Sequence, residues 1–251
     1  MFGKIKAKDI IRKMGFELVR TDDPVLAFHE YDYLRHNARR LEHLASLRIP
    51  VAGMSVLEVG AGVGDHSHYY LDRGCRVTIT EARGENINRL RDRYPNGRVQ
   101  FLDMESPSHI DDSPFDVVHC YGLLYHLSKP RQALAFLGQN TRKILFLETC
   151  VSFGENEEIN LIVEEQFQPT QSYSGTGCRP TRAWLFKELQ GLFAHVYLPT
   201  TQPWHEEFPL DWTAPEKHKA GIQRAIFIAS REPLENRLLT PSLLSEQIRP
   251  E

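Results

Sequence analysis

Three glycines alternate with single residues directly after an apolar strand pattern, and that junction limits the fold more than any other feature of the chain. Residues 56–65 read VLEVGAGVGD. Val56, Leu57 and Val59 mark a strand around Glu58, and Gly60, Gly62 and Gly64 mark the turn that follows. A strand running into a glycine turn is where an open α/β sheet binds a nucleotide-like cofactor. The dinucleotide fingerprint places its third glycine one position later, where this chain has Asp65. An acidic side chain near the start of the next helix would repel a pyrophosphate docking there. The expected cofactor is nucleoside-like, without phosphates and with a positive centre, and a reductase using NAD is disfavoured on the same ground.

The rest of the chain supplies the sheet this junction needs. Strand patterns recur at 55–59, 76–80, 98–102, 115–120 and 143–149, with helical stretches at 64–73, 84–93 and 130–140 between most of them. Such alternation predicts a parallel sheet covered by helices on both faces. A helix at 181–193, a strand at 195–198 and a last strand at 225–229 predict an antiparallel closure of the sheet edge. The fold class is a single doubly wound, mostly parallel, seven-stranded α/β sheet with an antiparallel last strand, N-terminal helices and a lid insertion. Residues 1–50 are expected to cap the cofactor site and 51–232 to form the cofactor-binding domain. Two substrate loops, 151–180 and 199–221, break the rhythm, and 233–251 is expected to be a surface helix or an extended arm. At 251 residues these parts make one domain.

Composition narrows the function classes. The net charge of −3 does not support a nucleic-acid binder that relies on bulk electrostatics. No apolar run is long enough to span a bilayer and no signal-peptide pattern is present, so the expected location is the cytoplasm. Cys75, Cys120, Cys150 and Cys178 are widely spaced without a C-x-x-C, which predicts reduced thiols and no metal site. His66 and His68 are expected to be ordinary helix residues or, at most, to face the substrate. A basic amphipathic helix over residues 1–20 either packs on the domain or touches an anionic membrane surface. In the next helix, near 29–47, Leu34, Leu41 and Leu44 are expected to form the buried face.

The ordered set LEVGAGVGD, TITEA, FLDME and FDVVHCYGLLYHL, each at a strand end, resembles the class I S-adenosylmethionine (SAM)-dependent methyltransferases over roughly residues 50–230. The resemblance implies SAM as cofactor, which fits the phosphate-free, cationic expectation, and S-adenosylhomocysteine (SAH) as product. It places Glu81 on both ribose hydroxyls, Asp103 on the adenine amino group and Met104 on the adenine face. Glu58, Gly60, Ala61, Gly62, Gly64, Asp65 and Ala82 complete the turn side of that pocket. GLLYHL is similar to the transferases that modify the wobble uridine of tRNA, which implies that Tyr121 and Tyr125 touch SAM. The same segment resembles cyclopropane fatty-acid synthases, except that Tyr125 stands where they carry the glutamate of a bicarbonate site. GCRPTR and QPWHEEFPLDW resemble small methyltransferases of bacterial glycan or secondary-metabolite assembly.

Methyl transfer needs an aligned nucleophile, exclusion of water and, for a hydroxyl, removal of its proton. His126, just past the fourth strand, is the expected base, because imidazole titrates in the useful range. His119, inside that strand, is expected to be structural. Glu148, at the end of the fifth strand, is expected to orient a substrate hydroxyl or pair with an arginine, and Tyr125 completes the catalytic set. Tyr173, Arg179, Arg182, Trp204 and His205 are the expected substrate contacts. Aromatic rings mixed with charges suit a sugar, and the two arginines suit a phosphate or carboxylate. The sequence thus predicts O-methylation of a small polar or glycan-linked acceptor. A tRNA wobble-uridine methyl or carboxymethyl transferase and a non-catalytic SAM-binding regulator stand as alternatives. The acceptor and the oligomeric state are left open.

Overall fold

The computed structural model describes residues 11, 13–16, 23–168 and 170–251. The expected basic helix over 1–20 lies largely outside them. Helices α1 (Val25–Phe28) and α2 (Tyr31–Ser46) precede the alternating unit. That unit runs β1 (Ser55–Val59), α3 (Ser67–Leu71), β2 (Arg76–Glu81), α4 (Gly84–Arg93), β3 (Arg98–Phe101), β4 (Phe115–Tyr121), α5 (Pro130–Asn140) and β5 (Thr141–Val151). A two-stranded ribbon, β6 (Ile159–Val163) and β7 (Thr176–Pro180), interrupts it. Then come α6 (Arg182–Leu192), β8 (His195–Pro199), β9 (Gln223–Ser230) and β10 (Leu239–Thr240).

The main sheet has eight strands in the order β10-β8-β9-β5-β4-β1-β2-β3. β1 lies between β2 and β4, parallel to both, so the chain reverses its direction of progress across the sheet beside β1. That reversal opens a crevice beyond the carboxyl ends of β1 and β4. β9 is antiparallel to both neighbours, β5 and β8. The expected seven strands become eight because the tail, an extended arm, adds β10 beside β8. The expected 151–180 loop contains the β6–β7 ribbon.

Buried strands read as apolar runs because both faces of the sheet are covered. Val56 faces a core with Leu44, Leu90, Phe146 and Ile228, while Leu57 faces the opposite core with Leu134, Leu137, Leu185 and Phe227. α4 buries Ile87 and Leu90, and α6 starts where the Thr181 hydroxyl accepts from the Trp184 amide, a standard N-cap. The helix α2 departs from its expected face. Leu34 is 44 % exposed, whereas His36, Asn37, Arg40 and His43 are buried beside Leu44. A helix that turns polar groups inward must find partners for them there, and α2 finds some of them in Glu148 for Arg40 and Thr201 for His43. All four cysteines are free and buried. No helix among the described residues is long and apolar enough to cross a membrane.

Candidate active site

The glycine turn is built around one carboxylate. Glu81, at the end of β2, accepts from the Gly62 amide at 2.8 Å with one oxygen and from the Ala82 and Arg83 amides at 2.8 and 3.0 Å with the other. Burial pushes its pKa up against those three bonds. Gly62 has φ 58°, and a Cβ there would lie 2.7 Å from the Phe28 ring, so both the backbone conformation and the space demand glycine. The turn is also pinned by Ala61 N donating to Thr80 O at 3.0 Å.

Of the residues expected to bind the cofactor, Gly60, Ala61, Gly62, Glu58, Asp65, Glu81, Ala82, Asp103, Met104 and Tyr121 line one cavity at this crevice. Two expected members do not. Gly64 packs on α4, where a Cβ would meet Tyr94 and Leu90 at 2.7 Å. Tyr125 lies beneath the cavity wall between the guanidinium groups of Arg179 and Arg224, 5.0 and 4.9 Å from its ring centre. Asp65 accepts from Arg93 at 2.6 Å and from His29 at 3.2 Å. Those partners offset much of the charge that was expected to repel a phosphate.

Other wall residues carry no sequence signal. Tyr33, Asn37 and Arg40 enter from α2, and Thr170, Gln171 and Tyr173 enter from the insertion. Beneath Glu58 a buried chain runs from Tyr70 Oη to His119 Nδ1 at 2.9 Å, and from His119 Nε2 to His66 Nδ1 at 3.2 Å. His66 lines the cavity, the second of its two expected settings, and His119 is buried within β4. Ligand-capable atoms of Glu58, His66 and His119 lie within 4.8 Å of one another, although no metal site is expected from the sequence. Ser67 already donates to Glu58, and burial raises the Glu58 pKa to about 7. Burial drops His119 to about 3.

Glu148 is fully buried and bonded to two arginines, Arg40 at 2.6 Å and Arg224 at 3.2 Å. Arg224 also holds Glu207 at 2.5 Å. Of the two expected roles for Glu148, the structure shows the arginine pair. His126 lines the cavity, and its Nδ1 meets the Glu164 carboxylate. Arg179 holds the other Glu164 oxygen at 3.4 Å.

Of the expected substrate contacts, only Tyr173 lines the cavity, half exposed. Arg182 lies 3.8 Å over the Trp212 ring and donates to Leu244 O. Burial lowers its pKa to about 9. Trp204 donates to Pro250 O, and His205 is buried against His36, with ring centres 4.9 Å apart. These three fasten the loop and the tail to the body. Arg40, Arg224 and Glu164 were missed because each acquires its role from a partner distant in sequence. Glu164 had a weak signal, as a carboxylate within the insertion.

Comparison with known proteins agrees with this geometry. Residues 56–142 match a family described as a methyltransferase domain. tRNA U34 carboxymethyltransferases of Vibrio campbellii and Vibrio atlanticus are each 26 % identical over 216 residues. Each alignment covers 77 % of this chain and 65 % of the relative, so the chain spans somewhat under two thirds of those proteins. The N-terminal domain of EvdMO1 with SAH bound superposes at TM-score 0.62 and 18 % identity, over 91 % of this chain and 98 % of that one. The same domain in the presence of SAH and D-fucose gives 0.61 at 18 % identity, over 81 % and 84 %. A Burkholderia thailandensis 1,6-didemethyltoxoflavin-N1-methyltransferase gives 0.51 at 20 % identity, over 83 % and 81 %. At these identities the structural neighbours establish the fold, which is the Rossmann-like fold of class I methyltransferases.

Proposed function

We propose that this chain is a class I SAM-dependent methyltransferase that methylates a hydroxyl of a small polar or glycan-linked acceptor, with His126 taking the proton. The cofactor reading is carried by the unmatched polar atoms of the cavity. Arg40 Nε, His66 Nε2, Asn86 Oδ1 and Tyr121 Oη are buried, have no partner among the described residues and belong to side chains lining that one space. Buried polar atoms require partners, and a ligand with a ribose, an adenine and an amino-acid end offers them.

The residues present fit such a ligand. Glu81 supplies acceptor oxygens for a ribose diol, although three backbone donors already use part of its capacity. Asp103, whose Oδ1 accepts from Glu105 N, and buried Met104 stand beside it for the adenine. Arg40 and Asn37 suit the carboxylate end. When bound, the cofactor supplies an electrophilic methyl on a sulfonium sulfur. His126 is held below its ordinary pKa by burial, so it is neutral at pH 7 and ready to accept a proton.

Charge bookkeeping around the acceptor side favours a neutral acceptor and a plain methyl. Beyond Arg40, which the amino-acid end of the cofactor would engage, Arg224 and Arg179 both meet carboxylates, those of Glu148, Glu207 and Glu164. Carboxymethyl transfer to tRNA, the activity in the names of the Vibrio relatives, would call for an uncommitted cation beside the transferred group. A fucose-like sugar would need only hydrogen bonds and rings such as Tyr173.

Calorimetric titration with SAH, with NADH in parallel, tests the cofactor. Micromolar SAH binding without NADH binding supports the reading, and no SAH binding by ligand-free protein ends it. Transfer of radiolabelled methyl from SAM is then followed on sugars, polyhydroxylated metabolites and unmodified tRNA. Label in a hydroxyl of the first two supports the proposal. Label only in tRNA replaces it, and SAH binding with no transfer to any acceptor favours the regulator.

A further inference from the structure

We infer that Glu164 is a positioning residue that fixes the tautomer and orientation of His126. The inference rests on the reading of His126 as the base. Glu164 follows β6 directly, and its carboxylate is buried against the segment after β4. One oxygen meets His126 Nδ1 and accepts from the Ser172 amide at 2.8 Å, while the other faces Arg179 at 3.4 Å. Ser172 Oγ in turn donates to His126 O at 2.7 Å, so the insertion grips the histidine by side chain and backbone.

The tautomer follows from these contacts. An ionised carboxylate only accepts hydrogen bonds, so Nδ1 must carry the proton and Nε2 must hold the lone pair. Nε2 has no partner among the described residues, and the ring lines the cavity. As the acceptor O–CH3 bond forms and the S–CH3 bond breaks, Nε2 takes the hydroxyl proton and the sulfur leaves as a neutral thioether. The imidazolium so formed sits against the Glu164 charge and later yields its proton to water. Arg179 from β7, Arg224 from β9 and the Tyr125 ring, 3.9 Å away, also face His126. Burial lowers its basicity most, Glu164 opposes that, and both arginines lower it further.

Gly177 shows that the fit is built. A Cβ there would lie 2.5 Å from both Glu164 Oε1 and Tyr125 O. Only a residue without a side chain lets β7 press the carboxylate toward the histidine.

The test needs no acceptor. 15N-histidine NMR of the full chain, with the His126 signals assigned by their loss in His126→Gln, reads tautomer and titration midpoint directly. Wild type should show the Nδ1–H form and a midpoint below 6.5. Glu164→Gln, which keeps the shape and removes the charge, should lower the midpoint and populate the Nε2–H form. Gly177→Ala, which keeps the carboxylate and displaces it, should move both in the same direction. Unchanged SAH affinity in each variant shows that the fold is intact. An Nε2–H wild type, or His126 signals unmoved in both variants, overturns the inference. With an acceptor in hand, Glu164→Gln should lower kcat roughly 10²-fold at constant KM. Full turnover by His126→Gln would sink the base reading alone and leave the NMR result standing.

Discussion

A carboxylate at the end of a central strand can serve a reaction or neutralise its neighbours, and Glu148 does the second. Removing it leaves buried Arg40 with no carboxylate partner and Arg224 with Glu207 alone. Breaking a buried ion pair in this way costs about 3–5 kcal/mol, so urea unfolding of Glu148→Ala should show a loss of that size. Glu81→Ala should weaken SAH binding by roughly 1–3 kcal/mol through lost hydrogen bonds, as calorimetry would show, and unchanged affinity would end the ribose assignment. The places of Glu81 and Asp103 at the cavity were legible in the sequence because a strand end positions them and a motif marks the strand. Glu164, Arg40 and Arg224 were not. Their partners lie 38, 108 and 76 residues away, and only the folded sheet brings those distances to zero.

At the scale of elements, periodicity located β1, α4 and α5 to the residue, because each buries a regular apolar pattern against the sheet. It misplaced the buried face of α2, where leucines spaced like a core face point partly outward and polar residues point in. It also passed over β6, whose apolar residues face out rather than into a core: Leu161 is 60 % and Val163 91 % exposed. The insertion is instead fastened through Arg83, whose Nη2 donates to the carbonyls of Gln166, Gln171 and Ser172 at 2.8, 3.1 and 3.3 Å. Arg83 also supplies a backbone amide to Glu81, so a residue that holds the Glu81 carboxylate also anchors the insertion. Arg83→Ala should raise amide hydrogen exchange across 164–173 by about tenfold or more while leaving the central strands protected. Mass spectrometry of exchange resolves the two regions.

For the whole molecule, the buried histidines set the response to acid. Burial holds His36 and His66 far below 6.5, His43 at about 4 and His119 at about 3. Below pH 6.5 the unfolded chain binds protons that the folded chain refuses, so stability must fall as pH falls from 6.5 through about 4. Glu58 acts the other way. With its folded pKa raised from 4.5 to about 7, its contribution weakens as pH rises through that interval. Thermal melts from pH 4 to 8 should therefore drop steeply on the acid side. Glu58→Gln should steepen the net rise in stability between about pH 4.5 and 7, because the opposing term is gone.

The placement of β9 has a consequence for how such a chain is made. It is the next-to-last strand in sequence, yet it lies inside the sheet between β5 and β8 and carries Arg224. During synthesis from the N-terminus, everything through β8 emerges with two open strand edges and with Glu148 lacking one of its two cations. No nascent chain shorter than about 230 residues can close the sheet or balance that charge. The site is thus assembled only after β9 has emerged, and chains stalled before it present unpaired edges where the folded sheet has its interior.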